Sequence, residues 1–463
     1  MYRRQSTSLL FFKKISLKNM NRRIFIVNSL FAGGAMIASN SCQRTVSVPQ
    51  SETMQSGISE GENMIMEPAR KIPVLAETDV LVIGGGPAGV ATAISAARGG
   101  ADTWLVERYN HLGGLWTGGL VLPLFSTHGY SKDNKTVQVL HGLGGEMYDR
   151  LKQMNMTYKE INPVIDPEAG KYVLEEMIRE SGVKMLYHAL GVQVLMDGKV
   201  IKGVFIESKS GRQVILAKVV VDCTGDGDIF HWAGENYDEM EHAIGLVHRL
   251  GNVDRVKGNN SEANRLLGQP TPLKSVNRVN MWGDDDQNGI DVLNLTRLQM
   301  KYRKQIWENV EKLKQIPGYE EVFLLDTASQ IGVRATRILD GEYRLTLEDS
   351  MTYKSFDDAV GVSGAWIPVL YQGQRVPTNE RPHWQIPYRS LLPKSTENLL
   401  VAGRCFCFER ELVEDARMIA TCLVTGQGAG TAAAMAVKQG ETVRNIDRSQ
   451  LRKLLTDQNV WFG

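Results

Sequence analysis

Apolar residues along this chain fall into short unbroken runs, alternating stretches and helical faces, and their order predicts an architecture. The run Asp79 to Ile83 reads as a buried strand, and Asp102 to Val106 as a second. Between them Ala88 to Arg98 is small and apolar, as a helix packed tightly on a sheet must be. Helices are expected near Gly144 to Met154 and from Pro167 to Glu180, the latter starting behind Asp166 as its cap. The segments Lys184 to His188, Val192 to Met196, Lys199 to Glu207 and Arg212 to Val221 alternate with Asp-Gly and Ser-Gly turns, the signature of strands and hairpins. From residue 236 to about 385 the chain becomes more polar. A long amphipathic helix is expected there over Asp291 to Gln315, with strands at Phe323 to Leu325 and Gly341 to Leu347. From Ile386 the apolar, glycine-rich style returns, with a strand at Asn398 to Ala402 and a helical tract from about Glu414 to Lys438.

This order predicts an α/β fold in which one Rossmann-like sheet is interrupted and then completed. Residues 73–235 and 386–440 would be its two parts, 236–385 an inserted α+β substrate or cap domain, and 441–463 a C-terminal helical tail. With 43% hydrophobic and 23% charged residues the chain has an ordinary globular composition. A net charge of +1 supplies no global field for nucleic acid or an anionic membrane. The five cysteines are scattered, so neither a disulfide framework nor clustered iron-sulfur ligation is expected.

The N-terminus adds a destination. Arg22 and Arg23 precede an apolar stretch, Val27 to Ala38, too short to span a bilayer comfortably, so residues 1–42 read as an export segment and 43–72 as a linker. The paired arginines suggest twin-arginine export, a route that carries folded proteins. Cys42, with a small residue before it, resembles a lipoprotein lipidation site. Polar Ser39 stands where an aliphatic residue is usual, so lipidation, plain cleavage and an uncut anchor all stay open. The expected location is the periplasm or a membrane to which a lipid at Cys42 anchors the protein.

The chemistry begins at DVLVIGGGPAG. Gly84, Gly86 and Gly89 fill the three slots of a G-x-G-x-x-G turn, and Pro87 suits the first helical position because its missing N–H is an orphan donor there anyway. Glu107 ends the second strand, where a carboxylate can accept hydrogen bonds from adenosine ribose hydroxyls and repel a 2′-phosphate. Among 45 glycines a lone turn of this spacing would mean little, but here the strand precedes it, the helix follows and the acid is at the right distance. Further on, VVDCTGDGD runs a strand into a turn of small and acidic residues, Asn398 to Arg404 ends a strand in Gly-Arg, and TGQGAGTAAA opens a small-residue helix whose N–H groups suit a negatively charged edge.

These stretches, together with VERYNHLGG, DTASQIGVRATR, GEYRLT and IPYRSLLP, resemble the FAD-dependent oxidoreductases related to the flavoprotein part of heterodisulfide reductase, within the glutathione-reductase-like and succinate-dehydrogenase-like flavoproteins. The resemblance runs from about Thr78 to Gly440. It implies FAD as cofactor, a glutathione-reductase type of fold, Gly84, Gly86, Pro87, Ala88 and Gly89 around the diphosphate, and Glu107 on the ribose. It further implies that Arg108, Gly113 and Gly114 lie along the AMP and diphosphate, that Val192 offers backbone to adenine, and that Gly225 and Asp226 border the cofactor. Gly403, Arg404, Thr425, Gly426, Gln427 and Gly428 would hold the ribityl and flavin end, although many relatives have Asp where Arg404 stands.

The expected activity is that of an exported dehydrogenase moving hydride between a small polar substrate and flavin N5, with electrons leaving to an unidentified acceptor. The rival readings are an electron-transfer component of a heterodisulfide-reductase-like complex and a non-catalytic, surface-anchored binding protein. Arg417 and Arg334 are the candidate catalytic residues, as guanidiniums that orient an oxygen-bearing substrate; Arg334 and Arg337 could instead pair with Asp340 or Glu342. Cys405 and Cys407 are expected to be packed thiols. His128, His141, His242, His248 and His383 are open as proton acceptors, and Asp284 to Gly289 is expected to be a solvated loop capping the next helix rather than a calcium loop.

Overall fold

A computed structural model of the protein describes residues 67–131, 133, 135–365 and 367–463. The expected export segment, with Arg22, Arg23 and Cys42, and most of the linker lie outside the described residues. Arg70–Gly463 forms one compact unit.

The main sheet is built from β1 (Val74–Ile83), β2 (Thr103–Val106), β3 (Lys184–Leu186), β4 (Leu190–Asp197), β5 (Val200–Ser208), β6 (Gly211–Asp222) and, far along the chain, a short strand at Leu399–Val401. Their order is β3-β2-β1-β6-β5-β4, with the late strand on the carboxyl half of β6. The strands β3, β2, β1, β6 and the late strand run parallel, while β4 and β5 form an antiparallel hairpin on the amino half of β6.

The continuous apolar runs follow from burial on both faces. Side chains alternate across a strand, so Val80 and Val82 enter one core while Leu81 and Ile83 enter the other. The first core holds α1 (Pro87–Arg98), α2 (Gly142–Gln153), α3 (Pro167–Glu180) and a helix at Ile419–Gln439; the second is closed by the β4–β5 hairpin and α4 (Asp228–Trp232). As expected, Asp166 caps α3, accepting from Glu168 N and Ala169 N. Asp222 does the same for α4 through Ile229 N and Phe230 N.

Residues 236–385 divide. Four strands, β7 (Leu246–Gly251), β8 (Gln269–Pro270), β9 (Val276–Met281) and β10 (Phe323–Thr327), form a separate sheet in the order β8-β9-β7-β10. Across it lies α5 (Val292–Lys314), which buries Leu298, Tyr302, Ile306 and Val310 at helical spacing and is capped by Asp291. Later residues, Ala335, Ile338, Phe356, Val360 and Trp384 among them, belong instead to the main core.

The expected strand at Gly341 to Leu347 is absent. The ladder ends at Leu339, only isolated bridges follow at Gly341 and Leu345 among the described residues, and Thr346 starts a short helix through a reciprocal cap with Asp349. The late helical tract is also not continuous. It breaks into α6 (Val413–Ala416) and α7 (Ile419–Gln439), with Met418 extended between them. A fully buried ion pair, Arg381 to Asp415 at 2.6 Å, holds α6 at that break.

Candidate active site

A cavity of about 410 Å³ opens at the carboxyl ends of β1, β2 and β6, where α/β folds bind ligands. The turn between β1 and α1 forms one wall. Gly84 has φ of 101°, and a side chain on it would run into the Cys223 carbonyl. Gly89 does not line the cavity; it lets α1 press on the Gly84 carbonyl. Gly86 faces open space, and α1 begins there with no side-chain cap, so its first N–H groups are presented to whatever fills the cavity. Pro87 and Ala88 line the same wall, and Gly114 approaches Gly86 from the following loop.

Glu107 is 5% exposed and lines the cavity. Its Oε2 accepts from Gly85 N at 2.6 Å and its Oε1 from Tyr109 N at 2.8 Å, which leaves each oxygen further acceptor capacity.

Beyond it Asp226 gathers cations. Arg404 Nη2 lies 2.5 Å from Asp226 Oδ1 and Arg108 Nη2 lies 3.8 Å from Oδ2, while Arg337 bonds the Asp226 carbonyl and Asp228. Arg404 lies against Gly225, and its Nη1 is buried without a protein partner. The side-chain role that the sequence left open is therefore an ion pair with one donor to spare.

Several expected positions move. Thr425 to Gly428 lie well inside α7, not at its start, so they supply no helix-end donors. Thr425 Oγ1 accepts from Gly403 N, Gly426 packs on the Ala88 carbonyl, Gln427 accepts from Leu143 N, and Gly428 packs on Val360. The start of α7 reaches the cavity through Ile419 and Cys422. The cavity touches Ala189, Leu190 and Gly191 but stops short of Val192, and it meets Gly114 but not Gly113, which packs on Thr117.

The two candidate arginines also separate. Arg417 lines the cavity from the α6–α7 break, with its Nε buried and unpartnered. Arg334 does not line it; its guanidinium donates to the Ala243 carbonyl and lies 4.0 Å over the Trp282 ring. Neither Asp340 nor Glu342 is its partner: those pair with Arg344 and Lys394, and with Arg444. Burial, with the charge of Arg417 second, pushes the Arg334 pKa down to about 10.

Glu414 joins Arg417 to a residue that sequence alone could not single out. One Glu414 oxygen bonds the Arg417 guanidinium, and the other lies 2.9 Å from His242 Nε2. Burial alone would raise the Glu414 pKa, but the His242 hydrogen bond and the Arg417 charge outweigh it and hold it at about 2. His242 Nδ1 is buried and unpartnered. Of the other histidines, His248 is buried in β7 with its pKa pushed down to about 4, and His128, His141 and His383 bond Thr127, Gln138 and Tyr130.

Residues 79–455 match the family described as FAD dependent oxidoreductase. The chain belongs to that family. FAD is its cofactor, and the cavity suits it: an uncapped helix end for a diphosphate, a buried strand-end carboxylate for a ribose, and orphaned guanidinium donors on Arg404 and Arg417. Digeranylgeranylglycerophospholipid reductase 2 of Methanosphaera stadtmanae is 28% identical over 242 residues, 47% of this chain and 57% of that protein. The chain thus matches little more than half the length of that curated relative. A geranylgeranyl bacteriochlorophyll reductase-like protein of Thermoplasma acidophilum is a structural neighbour with a TM-score of 0.44 and 13% identity, covering 83% of this chain and 84% of that one. A flavoprotein/dehydrogenase of Cytophaga hutchinsonii has a TM-score of 0.42 and 14% identity over 82% of each chain. In this FAD-dependent oxidoreductase, Cys405 and Cys407 are free and buried, and the Asp284 to Gly289 loop leads into the Asp291 cap of α5.

Proposed function

We propose that the protein is an exported dehydrogenase that takes hydride from a C–H bond of a small polar substrate to flavin N5 and passes the electrons to a separate acceptor. The observation that carries this reading is Arg417, at the cavity wall with a buried, unpartnered Nε and its other face held by Glu414. Bound FAD supplies a ring that accepts two electrons and returns them. The chain supplies placement. Arg417 can donate to a substrate oxygen from the guanidinium N–H groups that Glu414 leaves free, and Glu414, ionised at neutral pH, keeps that guanidinium from swinging away. His242 donates from Nε2 to Glu414, which in the neutral ring leaves Nδ1 an acceptor. Arg334 stays outside the cavity, bonded to the Ala243 carbonyl, and adds a second positive charge in the surroundings of Arg417.

Narrower kinship with the flavoprotein part of heterodisulfide reductase rests on the motif set. A glutathione-reductase type of cofactor domain is supported by the parallel order β3-β2-β1-β6 with an antiparallel hairpin inserted before β6. Export rests on Arg22, Arg23 and the short apolar run after them.

Anaerobic titration with sugars, hydroxy acids and amines, watching the flavin absorbance, tests the dehydrogenase reading. Bleaching by one class supports it. Bleaching by dithionite alone, with every organic donor inert, overturns it.

A further inference from the structure

We propose that the solvent face of α5 docks on an anionic lipid surface and brings the mouth of the FAD cavity to it. Ten of the twenty large exposed hydrophobic residues among those described fall between Leu266 and Leu325, so this module carries a disproportionate share of uncovered apolar surface. On α5 they form a stripe. Leu293, Met300 and Trp307, spaced by seven, are 78%, 68% and 59% exposed, on the side opposite the buried Leu298, Tyr302 and Ile306. Amphipathicity toward the protein core explains the buried face and leaves this second one uncovered by any described residue.

Charge identifies what covers it. Arg297, Arg303 and Lys304 are exposed between the apolar positions, and α5 has no acidic residue before Glu308. Among the described residues, Arg297 bonds only neutral groups, Gln287 and Asn294, and Arg303 bonds Thr327, while Lys304 has Glu308 at 3.8 Å. Of the acids around the helix, Asp284 is paired with Lys301 at 2.6 Å, Asp285 accepts from Trp282 Nε1, Asp291 accepts from the first N–H groups of α5, and Glu308 lies beyond Trp307. A helix face of apolar and cationic residues, with Trp at one end, is what lies in the headgroup region of an anionic bilayer. A second copy is a poorer occupant, because pairing α5 with itself about Met300 would bring the same three cations together. The stripe also continues into the cavity: Ile290 and Val292 line it and are 37% and 69% exposed. A docked α5 would open the cavity beside the lipid phase.

Flotation of the full-chain, FAD-loaded protein with vesicles tests this, using phosphatidylcholine with or without about 30% phosphatidylglycerol, at low salt and at about 0.5 M salt. Wild type is expected to float with the anionic vesicles at low salt and to stay down with the neutral ones. The Met300→Ser, Trp307→Ser double variant and the Arg303→Glu, Lys304→Glu double variant should each lose roughly tenfold or more of the bound fraction. Both should keep FAD content and melting temperature. The proposal is overturned if wild type fails to bind, or if both variants float like wild type, which would locate binding in the N-terminal segment. It is equally overturned if wild type is a dimer that the stripe variants dissolve, because the face would then belong to a second copy.

Discussion

Glu107 spends one hydrogen bond of each oxygen on the backbone, at Gly85 and Tyr109, and keeps the rest of its acceptor capacity for the cavity. A cation there would lose the ribose acceptors and strand a charge against two N–H groups. Glu107→Lys should therefore purify with at least ~10-fold less FAD, since each charge-assisted hydrogen bond is worth about 1.5–3 kcal/mol; the ratio of flavin to protein absorbance reads this directly. Glu414 gives a pH signature. A carboxyl held at about 2 in the folded chain stabilises it above the unfolded value of about 4.3, and that contribution fades as pH falls toward 2. Glu414→Gln should cost up to ~3 kcal/mol near neutrality, and its unfolding midpoint should converge with wild type between about pH 4.5 and 2. A constant gap across that range would show that Glu414 carries no such linkage. Glu107 is legible in the sequence because it ends a strand at a fixed distance from a glycine turn. His242 is not, since its partner Glu414 lies 172 positions away along the chain and no spacing rule joins them.

Elements whose pattern matches their burial are legible in the sequence. The helices α1, α3 and α5 follow almost to the residue from helical faces and from their Pro and Asp starts, and the buried half of β1 follows from its apolar run. Elements set by tertiary contact are not legible in this way. The break between α6 and α7 carries no Pro or Gly; it coincides with the buried Arg381–Asp415 pair, contributed by a distant segment. For the same reason the glycines of TGQGAGTAAA take a different role from the one expected at the cofactor. Gly426 and Gly430 let α7 cross α1 closely, against the Ala88 and Thr92 carbonyls. Gly426→Val must push the two helices apart, and overpacking of this kind costs typically about 1–3 kcal/mol, more where backbone is the obstacle. The expected outcome is a lower denaturant midpoint, with FAD loss following because Ala88 is part of the cavity wall. An unchanged midpoint would mean that the helices do not cross this closely.

At the scale of the whole molecule, the Rossmann-like order is legible because parallel strands buried on both faces leave unbroken apolar runs, as in β1 and β6. The splitting of residues 236–385 between a separate sheet and the main core is not, since polarity changes gradually there and core membership at Val360 and Trp384 depends on α7 and its neighbours. Cellular destination belongs to this scale too. Changing Arg22 and Arg23 to Lys should leave precursor in the cytoplasm if export follows the twin-arginine route, and fractionation with an antibody to the protein checks it; unchanged export would point to the general secretory route. The central claim is that a cavity built by the dinucleotide turn holds FAD while Arg417, from the α6–α7 break, orients what reacts with it. Stopped-flow flavin bleaching by the substrate found in the anaerobic titration, normalised to bound FAD and paired with a melting curve, tests it in Arg417→Met. The expected result is a loss of roughly two orders of magnitude in the reduction rate with FAD still bound, as for removal of one charged donor worth ~2–4 kcal/mol, together with a fall in melting temperature no larger than that of Glu414→Gln, which breaks the same ion pair. Near-normal reduction in the FAD-loaded variant would contradict it.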